Sequence, residues 1–272
     1  MVHDSTRARA QQVGAAFTDR ASDYEGAVRH NLDGAHRLVA ALPDGDYPEL
    51  LDVGCGTGWS AFAFIARFGS RRVVGVDLAT GMLDVFRDHA EKLEDVDLQL
   101  IPADVMDMPL APGSFDAVIC TMALHWFPDK AGAVKEMAKR LRPGGLLAIL
   151  AQGEGVDNEF RDLMLSLDPP VPARWPATYE WAPTSERQML AFLADAGLEP
   201  IDVWIERRFR QTPVDEFLER VRVVTSHLNE GLDPNEVEEH QRRVREVMLA
   251  QSGPKGFEYH FCKLFAVARK TG

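Results

Sequence analysis

The chain has 272 residues, 46% of them apolar, which is enough to bury one substantial core but hardly two large ones. Its formal charge of -12 works against a nucleic-acid partner, because phosphates are repelled at long range unless a local basic face overrides the field. No stretch reaches the roughly 18 apolar residues that span a bilayer, and Met1 to Gln12 is polar rather than signal-like, so a soluble, cytoplasmic protein is expected. Cys55, Cys120 and Cys262 are odd in number and far apart, without metal-type spacing, so buried thiols are expected, with no disulfide and no metal site.

From Glu49 onward short apolar runs alternate with helical patterns, as βαβ units of a mainly parallel sheet do. Strands are expected at Leu50 to Val53, Val73 to Val76, Leu98 to Ile101, Phe115 to Thr121 and Leu146 to Leu150. Helices begin near Trp59, Ala79 and Lys130, and a shorter turn runs over Val105 to Met108. Val134, Met137 and Leu141 share one helical stripe, which Pro143, Gly144 and Gly145 then stop. Further on, Ser185 and Gln188 form a capping box ahead of Met189, Leu190 and Leu193, with Gly197 as C-cap. Ile201 to Ile205 and Tyr259 to Ala268 read as the sixth and seventh strands. Between them lie two helical patterns, one through Phe217, Val221, Val224 and Leu228. The other starts at Asp233, with Pro234 at the first helical position and Glu236 completing a capping box. Gln152 to Pro183 is irregular, holding Pro169, Pro170, Pro172 and Pro176 with Trp175, Tyr179 and Trp181. This stretch and residues 211–253 read as insertions that cover a pocket.

The strongest chemical signal is Leu50-Leu51-Asp52-Val53-Gly54-Cys55-Gly56-Thr57-Gly58, a strand running into a glycine-rich turn and then a helix. Such a turn lets a ligand approach backbone N–H groups because no Cβ intervenes. A dinucleotide fingerprint needs glycine where this chain has Trp59, which counts against a nicotinamide cofactor. The second strand ends in Asp77, where a carboxylate can accept hydrogen bonds from both hydroxyls of a ribose or else cap the next helix. Leu78 and Met82 offer apolar surface to an adenine face, or core packing. Asp104, beside Val105, can accept from the adenine amine, with Asp107 a solvated competitor.

In this order the motifs resemble those of class I S-adenosylmethionine-dependent methyltransferases, in the small-molecule branch that includes ubiquinone/menaquinone C-methyltransferases, malonyl carrier-protein O-methyltransferases and trans-aconitate methyltransferases. The resemblance covers about residues 12–151. It rests on Leu51 to Gly58, Val76-Asp77, Ala103-Asp104, Phe115-Asp116, Ala123-Leu124-His125-Trp126, Leu141-Arg142-Pro143-Gly144-Gly145 and the leader Phe17 to Tyr24. It implies an α/β fold with a Rossmann-like, doubly wound, mainly parallel seven-stranded sheet and a helical cap. It also implies three parts: a helical leader over the cofactor (1–48), the cofactor-binding core (49–151), and the rest of the core with the lid insertions (152–272). The cofactor implied is S-adenosyl-L-methionine, with S-adenosyl-L-homocysteine as product. The residues implied to hold it are Tyr24, Asp52, Gly54, Cys55, Gly56, Gly58, Asp77, Leu78, Met82, Ala103, Asp104, Val105 and Thr121.

Methyl transfer from a sulfonium is an in-line displacement, so the protein must mainly align the acceptor atom and exclude water. A hydroxyl or acidic-carbon acceptor needs a base, and His125, after the fourth strand, is the candidate; its alternative role is packing or substrate contact beside Trp126. A carboxylate acceptor needs cations, which Arg207, Arg208 and Arg210 can supply if they are not simply a solvated face. The expected activity is methylation of an O or C atom of a small metabolite. Its rivals are carboxyl O-methylation of an organic or acyl acid, and a non-catalytic cofactor-binding regulator with a filled acceptor pocket.

Overall fold

The computed structural model describes residues 2–19, 21, 31–168, 170–172, 184–229 and 231–272. Two helices, α1 (Val2–Asp19) and α2 (Asn31–Ala41), precede the alternating core of β1 (Glu49–Val53), α3 (Trp59–Phe68), β2 (Arg72–Asp77), α4 (Thr80–Ala90), β3 (Asp97–Pro102), β4 (Phe115–Thr121), α5 (Lys130–Arg140) and β5 (Leu141–Gln152). Then follow α6 (Asn158–Leu165), α7 (Glu186–Asp195), β6 (Leu198–Thr212), α8 (Val214–Thr225), α9 (Pro234–Gln251) and β7 (Phe257–Lys270). The seven strands form one sheet in the order β3-β2-β1-β4-β5-β7-β6, parallel except for β7, which runs antiparallel to both β5 and β6. Strand order reverses between β1 and β4, so the crevice at their carboxyl ends is where an open α/β sheet takes a ligand.

β1 and β2 are nearly continuous apolar runs because helices cover both faces of the sheet. One face packs Met137, Val134, Met189 and Leu193 of α5 and α7 onto the strands; the other packs Leu38, Phe64 and Phe86 of α2, α3 and α4. A third core is separate, joining α6, α8 and α9 through Phe160, Phe217, Val244 and Met248 to Phe257, Tyr259 and Phe261 at the start of β7. The helices of the second half therefore bury their apolar stripes against one another and against the sheet's last strand.

Several boundaries differ from the sequence reading. α5 ends at Arg140, and Leu141 instead opens β5 opposite Phe115, because the backbone is already extended there, ahead of Gly144 at φ 79°. β6 is longer than Ile201 to Ile205: it is one strand from Leu198 to Thr212, with Arg207, Arg208 and Arg210 inside it, so residues 211 and 212 belong to the sheet rather than to an insertion. As an edge strand it needs no apolar alternation, so charged residues extend it where the hydrophobic pattern stops. β7 likewise extends beyond Tyr259 to Ala268 at both ends. Leu228 falls in a 3-10 turn (Ser226–Asn229) after α8 rather than on its stripe. Asp233 caps α9 by accepting from Asn235 N at 2.8 Å, without the reciprocal contact from Glu236. The capping box of Ser185 and Gln188 is present. The insertion after β5, read as irregular, contains α6. All three cysteines are buried and free. Among the described residues, no helix is long and apolar enough to cross a membrane.

Candidate active site

The turn after β1 is hooked onto β2, since Gly54 N and Cys55 N both donate to Val76 O, at 2.8 and 3.2 Å. Gly54, Gly56 and Gly58 all have positive φ, at 65°, 52° and 88°. Their surroundings differ. A Cβ on Gly54 would lie 2.3 Å from Ala123 Cβ, and one on Gly58 would lie 2.4 Å from the Phe86 ring, so these two glycines serve internal packing. A Cβ on Gly56 would meet nothing within 4 Å, so this is where the turn opens toward a ligand.

Asp77, at the end of β2, holds that opening in place. Its Oδ2 accepts from Gly56 N and its Oδ1 from Ala79 N, each at 2.9 Å. Burial pushes its pKa up, while those backbone donors oppose the shift. A carboxylate offers about four acceptor positions, so capacity remains for a hydroxyl donor. Beneath the turn, Asp52 is fully buried, and neither of its oxygens makes a hydrogen bond of normal geometry; the Thr57 hydroxyl is also buried and unpartnered. Burial, then the nearby Asp77 carboxylate, pushes the Asp52 pKa up to about 8 against the opposing pull of the Ala61 backbone, so it holds a proton at neutral pH. Cys55 is buried and its thiol is pushed well up by the same burial, so it is not a nucleophile.

The far wall comes from the end of β3. Ala103 N donates to Asp77 O at 3.2 Å, and the Asp104 side chain accepts from Met106 N at 2.9 Å, capping a 3-10 turn (Val105–Asp107) in which Val105 is buried and Asp107 exposed. Met82 is buried with Ala21 and Ala79, and Phe17 packs against them. α1 therefore covers this side. Its approach depends on Gly14, where a Cβ would lie 2.9 Å from Leu78 Cβ, and on Gly81, where one would lie 2.5 Å from Thr18 O.

After β4, Thr121 Oγ1 is hydrogen-bonded to Ser60 Oγ, and Met122 takes φ 53°, a strained value for a non-glycine residue, while donating to Leu150 O at 2.6 Å. His125 follows in a 3-10 turn (Leu124–Trp126). It is only 2% exposed, and burial, with Lys130 adding to it, pushes its pKa down to about 3. Gln152 N donates to its Nδ1 at 3.5 Å, which places the proton of the neutral ring on Nε2. Trp126 beside it packs edge-on against Phe17 of α1.

Tyr24, Trp175, Tyr179 and Trp181 lie outside the described residues. The arginines of β6 divide between two faces. Arg208 and Arg210 join Arg37 and Lys263 around a cleft, whereas Arg207 approaches Gly155 and Cys262. Sequence reasoning missed Arg37, Glu206 and Lys263. The available signal was Lys263, a charge inside the apolar run Phe261 to Ala268.

Residues 51–149 match a family described as a methyltransferase domain. A malonyl-[acyl-carrier protein] O-methyltransferase of Yersinia pestis is 32% identical over 158 residues, covering 58% of this chain and 57% of the relative, so the match spans little more than half of that relative's length. A protein of the same name from Enterobacter lignolyticus is 27% identical over 257 residues, covering 92% of this chain and 94% of the relative. Among solved structures, geranyl diphosphate C-methyltransferase of Streptomyces coelicolor, with S-adenosyl-L-homocysteine bound, superposes with a TM-score of 0.53 at 20% identity, covering 88% of this chain and 79% of that one, a likeness of fold.

Proposed function

We propose that this chain, whose residues 51–149 match a methyltransferase domain, is a class I S-adenosyl-L-methionine-dependent methyltransferase acting on an O or C atom of a small metabolite and yielding S-adenosyl-L-homocysteine. The observation that carries this reading is the open cradle at Gly56, tied to Asp77 at the sheet's switch point. When bound, the cofactor supplies an electrophilic methyl group on a sulfonium. Asp77 orients the ribose through its remaining acceptor positions, and Asp104 takes the adenine amine. Asp52 acts through the turn it supports, because its carboxyl is buried. Thr121 and Met122 border the reacting end, and α1 excludes water from the adenine side. His125 positions the loop after β4 rather than acting as a base, a reading supported by its burial and by the approach of Gln152 N to its Nδ1.

Carboxyl O-methylation of an acyl acid is the specific form that the named relatives favour. The segments inserted after β5 and after β6, the latter starting at residue 213 rather than 211, select the acceptor, a reading supported by the separate core that α6, α8 and α9 build on β7. The net charge of -12 supports a small-molecule partner rather than nucleic acid, and three free buried cysteines support a cytoplasmic setting. Incubation with methyl-labelled S-adenosyl-L-methionine and malonyl thioesters or a metabolite extract tests the reading. Label in a small acid supports it; saturable cofactor binding without transfer to any compound points instead to a regulator.

A further inference from the structure

On the sheet face covered by α2, a cleft lies between that helix and the β6–β7 pair. Arg37, Arg208, Arg210 and Lys263 face Asp33 and Glu206 there, an excess of two positive charges among the described residues of a chain of net charge -12. The two carboxylates are already shared. Glu206 pairs with Arg37 and, at 3.6 Å, with Arg208, and it accepts from the Trp204 indole at 3.2 Å, while Asp33 takes Arg208 at 3.0 Å. Lys263 is buried, and α2 passes close over it because residue 34 is glycine: a Cβ there would lie 2.7 Å from Nζ and 2.8 Å from Leu150 Cδ2. Burial pushes the Lys263 amine down to about 8, with Asp33 opposing and Arg210 reinforcing the shift.

The position of the cleft ties it to the reaction. Lys263 pairs with Gln152 at the carboxyl end of β5, and Gln152 N reaches His125 in the loop after β4. At about 4.8 Å per strand, β7 stands about 10 Å from β4. We propose that this cleft is an anion subsite for the methyl acceptor, holding a carboxylate or phosphate group remote from the methylated atom. The assignment of the anion to an acceptor rests on the methyltransferase reading. Guanidinium forks pair with both kinds of oxyanion in bidentate geometry.

The test uses the full chain labelled with ¹⁵N, following the Trp204 indole N–H, assigned by its loss in Trp204→Phe. Tricarballylate and inorganic phosphate are titrated separately, with sodium chloride at matched ionic strength as control. A saturable shift with a Kd of about 1–10 mM is expected, weakened at least tenfold in both Arg210→Gln and Lys263→Gln. S-adenosyl-L-methionine affinity, by calorimetry, should stay within about twofold, which also controls for folding. Saturation by tricarballylate alone assigns a carboxylate, and by phosphate alone a phosphate. A shift no different from that of chloride, or equal affinity in wild type and both variants, overturns the subsite. Because this readout needs no methyl transfer, anion binding without cofactor binding would overturn the methyltransferase reading, and with it the assignment to an acceptor, while leaving the anion site itself standing.

Discussion

Replacing Asp77 by alanine removes two backbone-to-carboxylate hydrogen bonds, from Gly56 N and Ala79 N, both at 2.9 Å. Each such bond to a charged acceptor contributes about 1.5–3 kcal/mol, less whatever water restores when it enters the gap. Part of the loss falls on the turn itself. A net destabilisation of about 2 kcal/mol corresponds to a drop in Tm of roughly 4–8 °C for a chain of this size. The rest falls on the ligand, which loses both the ribose acceptor and the fixed position of Gly56. S-adenosyl-L-methionine affinity should therefore fall at least tenfold, since each 1.4 kcal/mol is about a factor of ten. S-adenosyl-L-homocysteine should weaken in parallel, because the two ligands share the ribose. Calorimetric titration of both ligands, with a thermal melt as control, measures these effects. Unchanged affinity in a folded Asp77→Ala protein would refute the role of the carboxylate.

Asp52 supplies a pH dependence. Its folded pKa of about 8 stands above the ordinary 3.8, so its contribution to stability is fully present below pH 3.8 and is lost as pH rises through 8, by roughly 1.4 kcal/mol per unit within that window. Asp52→Asn should thus gain Tm relative to wild type as pH rises from 5 to 8; a constant gap would count against a buried neutral acid. Gly58→Ala should lower stability by about 2 kcal/mol or more through the Phe86 clash, whereas Gly56→Ala should cost about 1 kcal/mol in stability yet weaken the cofactor more strongly. The reverse ranking in melts and titrations would exchange their roles. His125→Gln should keep its rate within about tenfold and leave the pH profile of turnover unchanged around neutrality; a loss of about 10²-fold or more would restore the base.

The βαβ half was legible because β1, β2, β4 and most of β5 are apolar runs buried on both faces and each turn carries its own punctuation. Gly54 to Gly58, Asp77 and Asp104 stand at strand ends whose positions follow from the hydrophobic pattern alone. The second half was less legible because β6 is an edge strand rich in charge, and no alternation marks where it ends. Nor could the sequence distinguish the three glycines. Only the packing of Ala123 and Phe86 shows that two are filled from within and one is open. The cation cleft joins Arg37 in α2 to Lys263 in β7, far apart in sequence and brought together by the order β5-β7-β6.

The most direct measurement is a calorimetric titration of the full chain with S-adenosyl-L-methionine. The site at Gly56 and Asp77 predicts one saturable site per chain, with a Kd of about 1–100 µM. Absence of saturable binding by the folded protein would contradict the assignment of that site.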